Sequence, residues 1–257
     1  MLRYILRLSI PIIICVSLFS CGVQSIADSN IAVIATDLSE SESSALENNK
    51  ISIDDIIFLG ESTTYHLKSR GVLSGGKETT QVWAPKSGTL MLDASISECR
   101  IVYPETGEEL SLEAAIKRKK PMAMLFTFGL NGATDFNKRG EKYFKFCYQK
   151  LLDTVKAASP DTEIIINSCF PIAKSMDMSR YTVDARGLNL YINNINLWAQ
   201  NLARENNLRY TDSASALKDA EGFLTPELQA EDGYHLNERA YELILKYLDN
   251  ELKNKEN

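Results

Sequence analysis

The chain has 257 residues and a formal net charge of −6, with 44% apolar and 24% charged residues. That composition excludes a fibrous or wholly disordered chain, and the length is enough to bury one large core. The single short basic run, Lys117–Lys120, reads as the solvated end of a helix, so a nucleic-acid binder held by phosphate contacts is excluded.

Arg3 and Arg7 precede a mainly apolar stretch, Leu8–Phe19. It is too short to cross a bilayer as a helix, which takes ~20 residues. A positive start, a short apolar run and a small residue before a cut site make a secretory signal. Leu18-Phe19-Ser20-Cys21 resembles the lipobox of bacterial lipoproteins. That resemblance implies that residues 1–20 are removed as a signal peptide and that Cys21 is acylated. The chain is then anchored to a membrane of the cell envelope through its N-terminal lipid, since two or more acyl chains give stable anchoring. Residues 21–50, rich in Ser, Glu, Asp and Asn, read as a flexible linker. Cys99, Cys147 and Cys169 show no CxxC spacing, zinc motif or disulfide framework and read as small buried residues.

From residue 51 the pattern becomes that of one folded domain, 51–257. Asp55–Leu59, ended by Gly60, is a short apolar run suited to a strand buried on both faces. Gln81–Trp83 gives a possible second strand. Ser111 is placed to cap a helix over Leu112–Lys119, which Pro121 ends. Met122–Phe128 is the next strand. The spacing predicts a helix over Phe136–Ala158, with Tyr143, Phe146, Cys147, Leu151 and Val155 on its apolar stripe. Glu163–Ser168 is a strand, Leu188–Leu202 marks a helix ending near Asn207, and Leu208–Thr211 is a further strand. The last helix carries Tyr241, Ile244, Leu245, Leu248 and Leu252, with Asn237 as its cap. Strands alternating with helices predict an α/β fold: a three-layer α/β/α sandwich with a parallel sheet of about five strands.

Ligands of open α/β sheets bind beyond the C-terminal ends of the strands. Three segments fall there: Gly60-Glu61-Ser62, Gly129-Leu130-Asn131-Gly132, and Asp232-Gly233-Tyr234-His235 before the last helix. A serine hydroxyl needs a base to become a nucleophile, and histidine is suited to that task near neutral pH. The chain has two histidines. His66 lies about one helical turn after Ser62 and reads as a rim or pocket residue; His235, far away in sequence, can approach Ser62 face to face. Asp232 can orient its imidazole. Asn131 can offer its side-chain amide to a developing oxyanion beside the Ser62 backbone N–H.

In this order, these segments resemble the SGNH (GDSL-type) hydrolase family. Gly60-Glu61-Ser62 stands for its Gly-Asp-Ser block, Gly129-Leu130-Asn131-Gly132 for Gly-x-Asn-Asp, and Asp232-Gly233-Tyr234-His235 for Asp-x-x-His. The resemblance implies a flavodoxin-like fold, Ser62 as nucleophile, His235 as base and Asp232 as its orienter. It implies oxyanion donors at Ser62, Asn131 and a second-block glycine, for which Gly88 is chosen with Gly75 and Gly76 as alternatives. Tyr234, inside the third segment, and His66 are candidate substrate-binding residues. Glu61 and Gly132 depart from the family pattern, each standing where the family carries Asp.

The expected reaction is hydrolysis of an oxygen ester through an acyl-enzyme, without metal or other cofactor. The expected partner is an acylated glycan or similar ester, such as an acetylated carbohydrate. An O-acyltransferase with the same residues, or a non-catalytic glycan-binding module on this fold, is the alternative.

Overall fold

Strands form where short runs of β-branched and aromatic residues meet turn residues, and helices fill the stretches between them. In a computed structural model, which describes residues 51–253, the elements run in chain order. β1 (Ile56–Gly60) leads directly into α1 (Ser62–Ser69), followed by β2 (Val82–Trp83), β3 (Arg100–Val102) and β4 (Glu109–Ser111). Then come α2 (Leu112–Lys119), β5 (Ala123–Thr127), α3 (Ala133–Arg139), α4 (Glu141–Ala158) and β6 (Glu163–Asn167). The chain continues through α5 (Ala185–Glu205), β7 (Arg209–Thr211) and α6 (Glu238–Lys253). The signal segment, Cys21 and the linker expected from the sequence lie outside the described residues.

The main sheet has the order β2-β1-β5-β6-β7, and every pairing in it is parallel. Counting only these strands, this is the doubly wound order 2-1-3-4-5, whose switch point lies between β1 and β5. Side-chain parity divides two cores. Ile57, Leu59, Met124, Phe126, Ile164 and Ile166 pack against α2, α3, α4 and α5. Ile56, Phe58, Ala123, Leu125 and Ile165 pack with α1 and α6 on the other face. Strands apolar on both faces require helices on both sides, which is the three-layer sandwich the sequence implied.

Two features depart from the sequence expectation. The single helix expected over Phe136–Ala158 is two: Gly140 takes φ +86° and its amide closes α3 on the Phe136 carbonyl at 2.7 Å. Glycine reaches that backbone region at no steric cost, and it ends helices for that reason. The break resets the buried stripe of α4, which carries Phe144, Cys147, Tyr148, Leu151, Leu152 and Val155, while Phe146 is 51% exposed. The second feature is an antiparallel hairpin, β3–β4, joined to the edge of the sheet through a bridge between Val102 and Ala84. Its three-residue strands are too short to leave a periodic signal.

Candidate active site

The site begins where β1 turns into α1. A side chain at Gly60 would strike the Thr64 side chain and come within 2.5 Å of the Thr127 carbonyl of the paired strand, so only glycine fits this corner. Glu61 is the N-cap of α1 by backbone conformation, and its side chain makes no capping bond. Ser62 is the first helical residue. Its amide has no partner within the helix, and it sits at the positive end of the helix dipole.

The partner loop precedes α6. Gly233, at φ +67°, allows a tight turn in which one Asp232 carboxylate oxygen accepts the amides of Tyr234 at 2.9 Å and His235 at 2.8 Å. The other oxygen lies 2.6 Å from His235 Nδ1. Burial pushes the Asp232 carboxyl up, but these two amides and the His235 ring outweigh it and hold it below the usual range. His235 Nε2 lies 3.0 Å from Ser62 Oγ. Asn237 then caps α6, accepting the Ala240 amide at 3.1 Å. The buried Tyr241, one turn into α6, donates its hydroxyl to the Thr63 carbonyl at 2.7 Å. The helix that follows His235 is thereby tied to the helix that starts at Ser62.

The segment Gly129-Leu130-Asn131-Gly132 follows β5. Gly129, at φ +122°, faces Ile195 so closely that a Cβ would lie 2.6 Å from that side chain. Glu61 is 2% exposed and crosses the switch point to this loop, where its carboxyl oxygens accept the amides of Gly129 and Asn131, each at 3.0 Å. Burial raises its pKa from 4.5 to about 7, against the opposing pull of the loop amides. The Asn131 side chain is held at both ends: Oδ1 accepts the Tyr234 hydroxyl at 2.7 Å, and Nδ2 donates to Thr89 Oγ1 at 3.3 Å.

The structure thus brings together Ser62, His235 and Asp232 in one hydrogen-bonded series, with Asn131 and Tyr234 linked to each other beside it. His66 packs its ring on His235, with centroids 4.7 Å apart and planes tilted by 50°. Its pKa is lowered from 6.5 to about 4, first by burial and then by His235 and Arg70, so it is a neutral neighbour of His235. Gly88 is a correction. Its amide donates to the Pro85 carbonyl at 2.9 Å, closing a turn, and is not free for an oxyanion. Of the alternatives, the Gly76 amide is likewise committed, to the Leu73 carbonyl at 2.9 Å. Thr89, next to Gly88, is the residue of this loop that reaches Asn131. Sequence reasoning passed over Thr89, read Tyr241 only as part of the apolar stripe of the last helix, and saw Glu61 only as a departure from a pattern. Glu61 had one legible signal: an acidic residue in a run that must be buried.

A parallel 2-1-3-4-5 sheet carrying a serine, an asparagine and an Asp-x-x-His loop on its C-terminal edge defines a serine esterase of the SGNH type. A model of the GDSL-like Lipase/Acylhydrolase family matches residues 58–243, and the chain belongs to this family. Among solved structures, a Streptococcus pneumonia protein is similar at 19% identity and a TM-score of 0.54, over 89% of this chain and 100% of that one. A GDSL-like lipase of Bacteroides thetaiotaomicron matches at 14% identity and a TM-score of 0.53, over 82% of this chain and 96% of its own. A G-D-S-L family protein of Desulfitobacterium hafniense matches at 19% identity and a TM-score of 0.51, over 76% and 97%. At these identities the likeness speaks to the fold. No curated protein matches the sequence.

Proposed function

We propose that this esterase works through Ser62 as nucleophile, His235 as general base and Asp232 as the group that orients the imidazole. The observation that carries the reading is the series Ser62 Oγ to His235 Nε2 at 3.0 Å and His235 Nδ1 to Asp232 Oδ2 at 2.6 Å. With Nδ1–H held by the carboxylate, Nε2 is left as the acceptor for the serine proton. Ser62 then attacks the ester carbonyl while His235 takes that proton. The negative oxygen is met by the Asn131 amide and the Ser62 N–H at the helix terminus. His235 returns the proton to the leaving alcohol, and water releases the acyl group by the same steps. The substrate class is an acyl ester, with an acetylated carbohydrate of the cell envelope as the expected form. That part rests on the lipobox-like Cys21 and the proposed lipid anchor, and acylation of Cys21 is tested by mass spectrometry of the processed N-terminus beside Cys21→Ser.

The test is hydrolysis of p-nitrophenyl acetate by the full chain beside Ser62→Ala, His235→Ala and Asp232→Asn. Loss of turnover in the first two supports the assignment, with Asp232→Asn reduced by up to ~10⁴-fold. A Ser62→Ala protein that turns over like the wild type refutes it. A fluorophosphonate should label Ser62 and fail to label Ser62→Ala.

A further inference from the structure

An asparagine can act as an oxyanion donor only if its amide is turned the right way. The two ends of the side chain are nearly equal in size, and only their hydrogen-bond character distinguishes them. A reversed amide would point its carbonyl oxygen at the developing negative charge. We infer that Tyr234 is a positioning residue that fixes the Asn131 amide, its hydroxyl holding Oδ1 so that Nδ2 is left to face the reacting oxygen. This rests on the reading of Asn131 as an oxyanion donor.

The hydrogen-bond directions around Asn131 agree on one orientation. Thr89 Oγ1 donates to the Leu90 carbonyl at 3.5 Å, so its lone pairs face Nδ2, which donates to it at 3.3 Å. Nδ2 is therefore the end nearer Thr89, and Oδ1 is the end nearer Tyr234. The Tyr234 hydroxyl donates to Oδ1 at 2.7 Å, and burial, with Glu61 adding to it, raises its pKa so that it stays a donor. Thr89 takes one of the two Nδ2 hydrogens and leaves the other for a ligand. The Asn131 backbone is fixed as well, since its amide is bonded to Glu61.

The placement of Tyr234 gives the clamp a second consequence. The residue sits between Asp232 and His235, with its own amide on Asp232 Oδ1 at 2.9 Å. Its ring meets the His235 ring edge-on, with centroids 5.1 Å apart. One side chain therefore spans from the base to the oxyanion donor, and the loop that sets the base also sets the amide. Asn131 and His235 come from chain segments far apart in sequence, so this contact fixes their relative position where no backbone connection does.

The experiment is a double-mutant cycle on the full chain with p-nitrophenyl acetate, using Tyr234→Phe, Asn131→Ala and the pair together. Tyr234→Phe removes only the hydroxyl and keeps the ring against His235. It should lower kcat roughly tenfold with KM within about twofold, the loss of one oriented hydrogen bond. Asn131→Ala should lower kcat by ~10²-fold or more. In the Asn131→Ala background, Tyr234→Phe should cost nothing further. Thr89→Val, which removes the acceptor at the other end of the amide, is the second variant and should show the same non-additivity. Equal losses in both backgrounds, or full kcat in Tyr234→Phe and Thr89→Val while Asn131→Ala is impaired, overturn the positioning role alone. Full activity in Asn131→Ala overturns the oxyanion reading and this inference with it.

Discussion

Glu61 reaches from the start of α1 to the backbone amide of Asn131, 3.0 Å away across the switch point of the sheet. The same carboxyl holds Gly129 at 3.0 Å. A buried acid thus stitches the corner that presents Ser62 to the loop that presents Asn131. The residue departs from the family's Asp by one methylene, and in this chain that extra reach is used. Glu61→Asp keeps the carboxyl group but shortens the arm by roughly 1.5 Å, a single carbon–carbon bond. It should leave at least one loop amide unpaired and destabilise the protein by roughly 1–3 kcal/mol. Urea unfolding of Glu61→Asp beside the wild type checks this. An unchanged midpoint and slope would show that the loop amides do not need the longer arm of Glu61.

The pH dependence of stability follows from two groups with opposite signs. Glu61 has a pKa of about 7 against 4.5 for an ordinary glutamate. Between those values the folded protein binds the proton and the unfolded chain does not, so this contribution is present below pH 4.5 and lost as pH rises through 7. The size is on the order of 3 kcal/mol. His66 runs the other way, at about 4 against 6.5. Its contribution is present above pH 6.5 and is lost as pH falls through 4. In the overlap the two slopes oppose, so Glu61→Gln should gain stability with rising pH over this range, while His66→Phe should lose it. Urea midpoints taken from pH 4 to 8 separate the two variants, and parallel curves would refute the assignment of these groups.

The tie from Tyr241 to the Thr63 carbonyl fixes α6 against α1. Tyr241→Phe keeps the packing and removes the hydroxyl, leaving a helix carbonyl next to Ser62 without this donor. Stability should fall by about 1 kcal/mol. The His235-to-Ser62 alignment should loosen with it, so kcat should drop while the bulk fold is retained. Calorimetry and p-nitrophenyl acetate kinetics on the same preparation read both effects; a stability loss with unchanged kcat would confine the tie to packing.

Two asparagines on one face of α5 act as substitute backbone. Asn196 accepts the Cys169 amide at 2.7 Å and donates to its carbonyl at 3.0 Å. Asn189 does the same for Ile172, at 3.0 Å in both directions. They satisfy a buried chain that has left β6 and whose backbone pairing there is a single bridge from Ala173 to Leu224. Asn196→Ala strands both Cys169 groups, at roughly 1–3 kcal/mol each. Thermal unfolding of Asn196→Ala should show a clear fall in midpoint, whereas the exposed Asn194→Ala should stay near wild type.

Much of the fold was legible because its strands are buried on both faces and its helices carry one apolar stripe. β1, β5 and β6 read as short apolar runs, and α2 read from its Ser111 cap and the following Pro121. The broken helix at Gly140 was not legible, since an apolar stripe on either side reads as one period and the glycine acts through its backbone angle. The β3–β4 hairpin escaped because three residues make no period. At the candidate site, Ser62, Asn131, Asp232 and His235 could be named as candidates because chemistry restricts those residue types and the fold restricts where they occur. Gly88 was misread because a glycine in a loop signals a turn as readily as a free amide, and here its amide closes the turn on Pro85.

The sequence by itself determined the parallel α/β architecture, the edge of the sheet that carries the candidate site, and the residue types available there. These follow from periodicity and composition, which act locally along the chain. Only the tertiary structure decided which groups meet: Glu61 with the Asn131 amide, Tyr234 with the Asn131 side chain, Tyr241 with Thr63, and His66 with His235. Each of these pairs is a hydrogen bond or ring contact between residues far apart in sequence. Such contacts depend on placement to within a few tenths of an ångström, which is set by how the two cores pack, and packing leaves no periodic trace in the order of the residues.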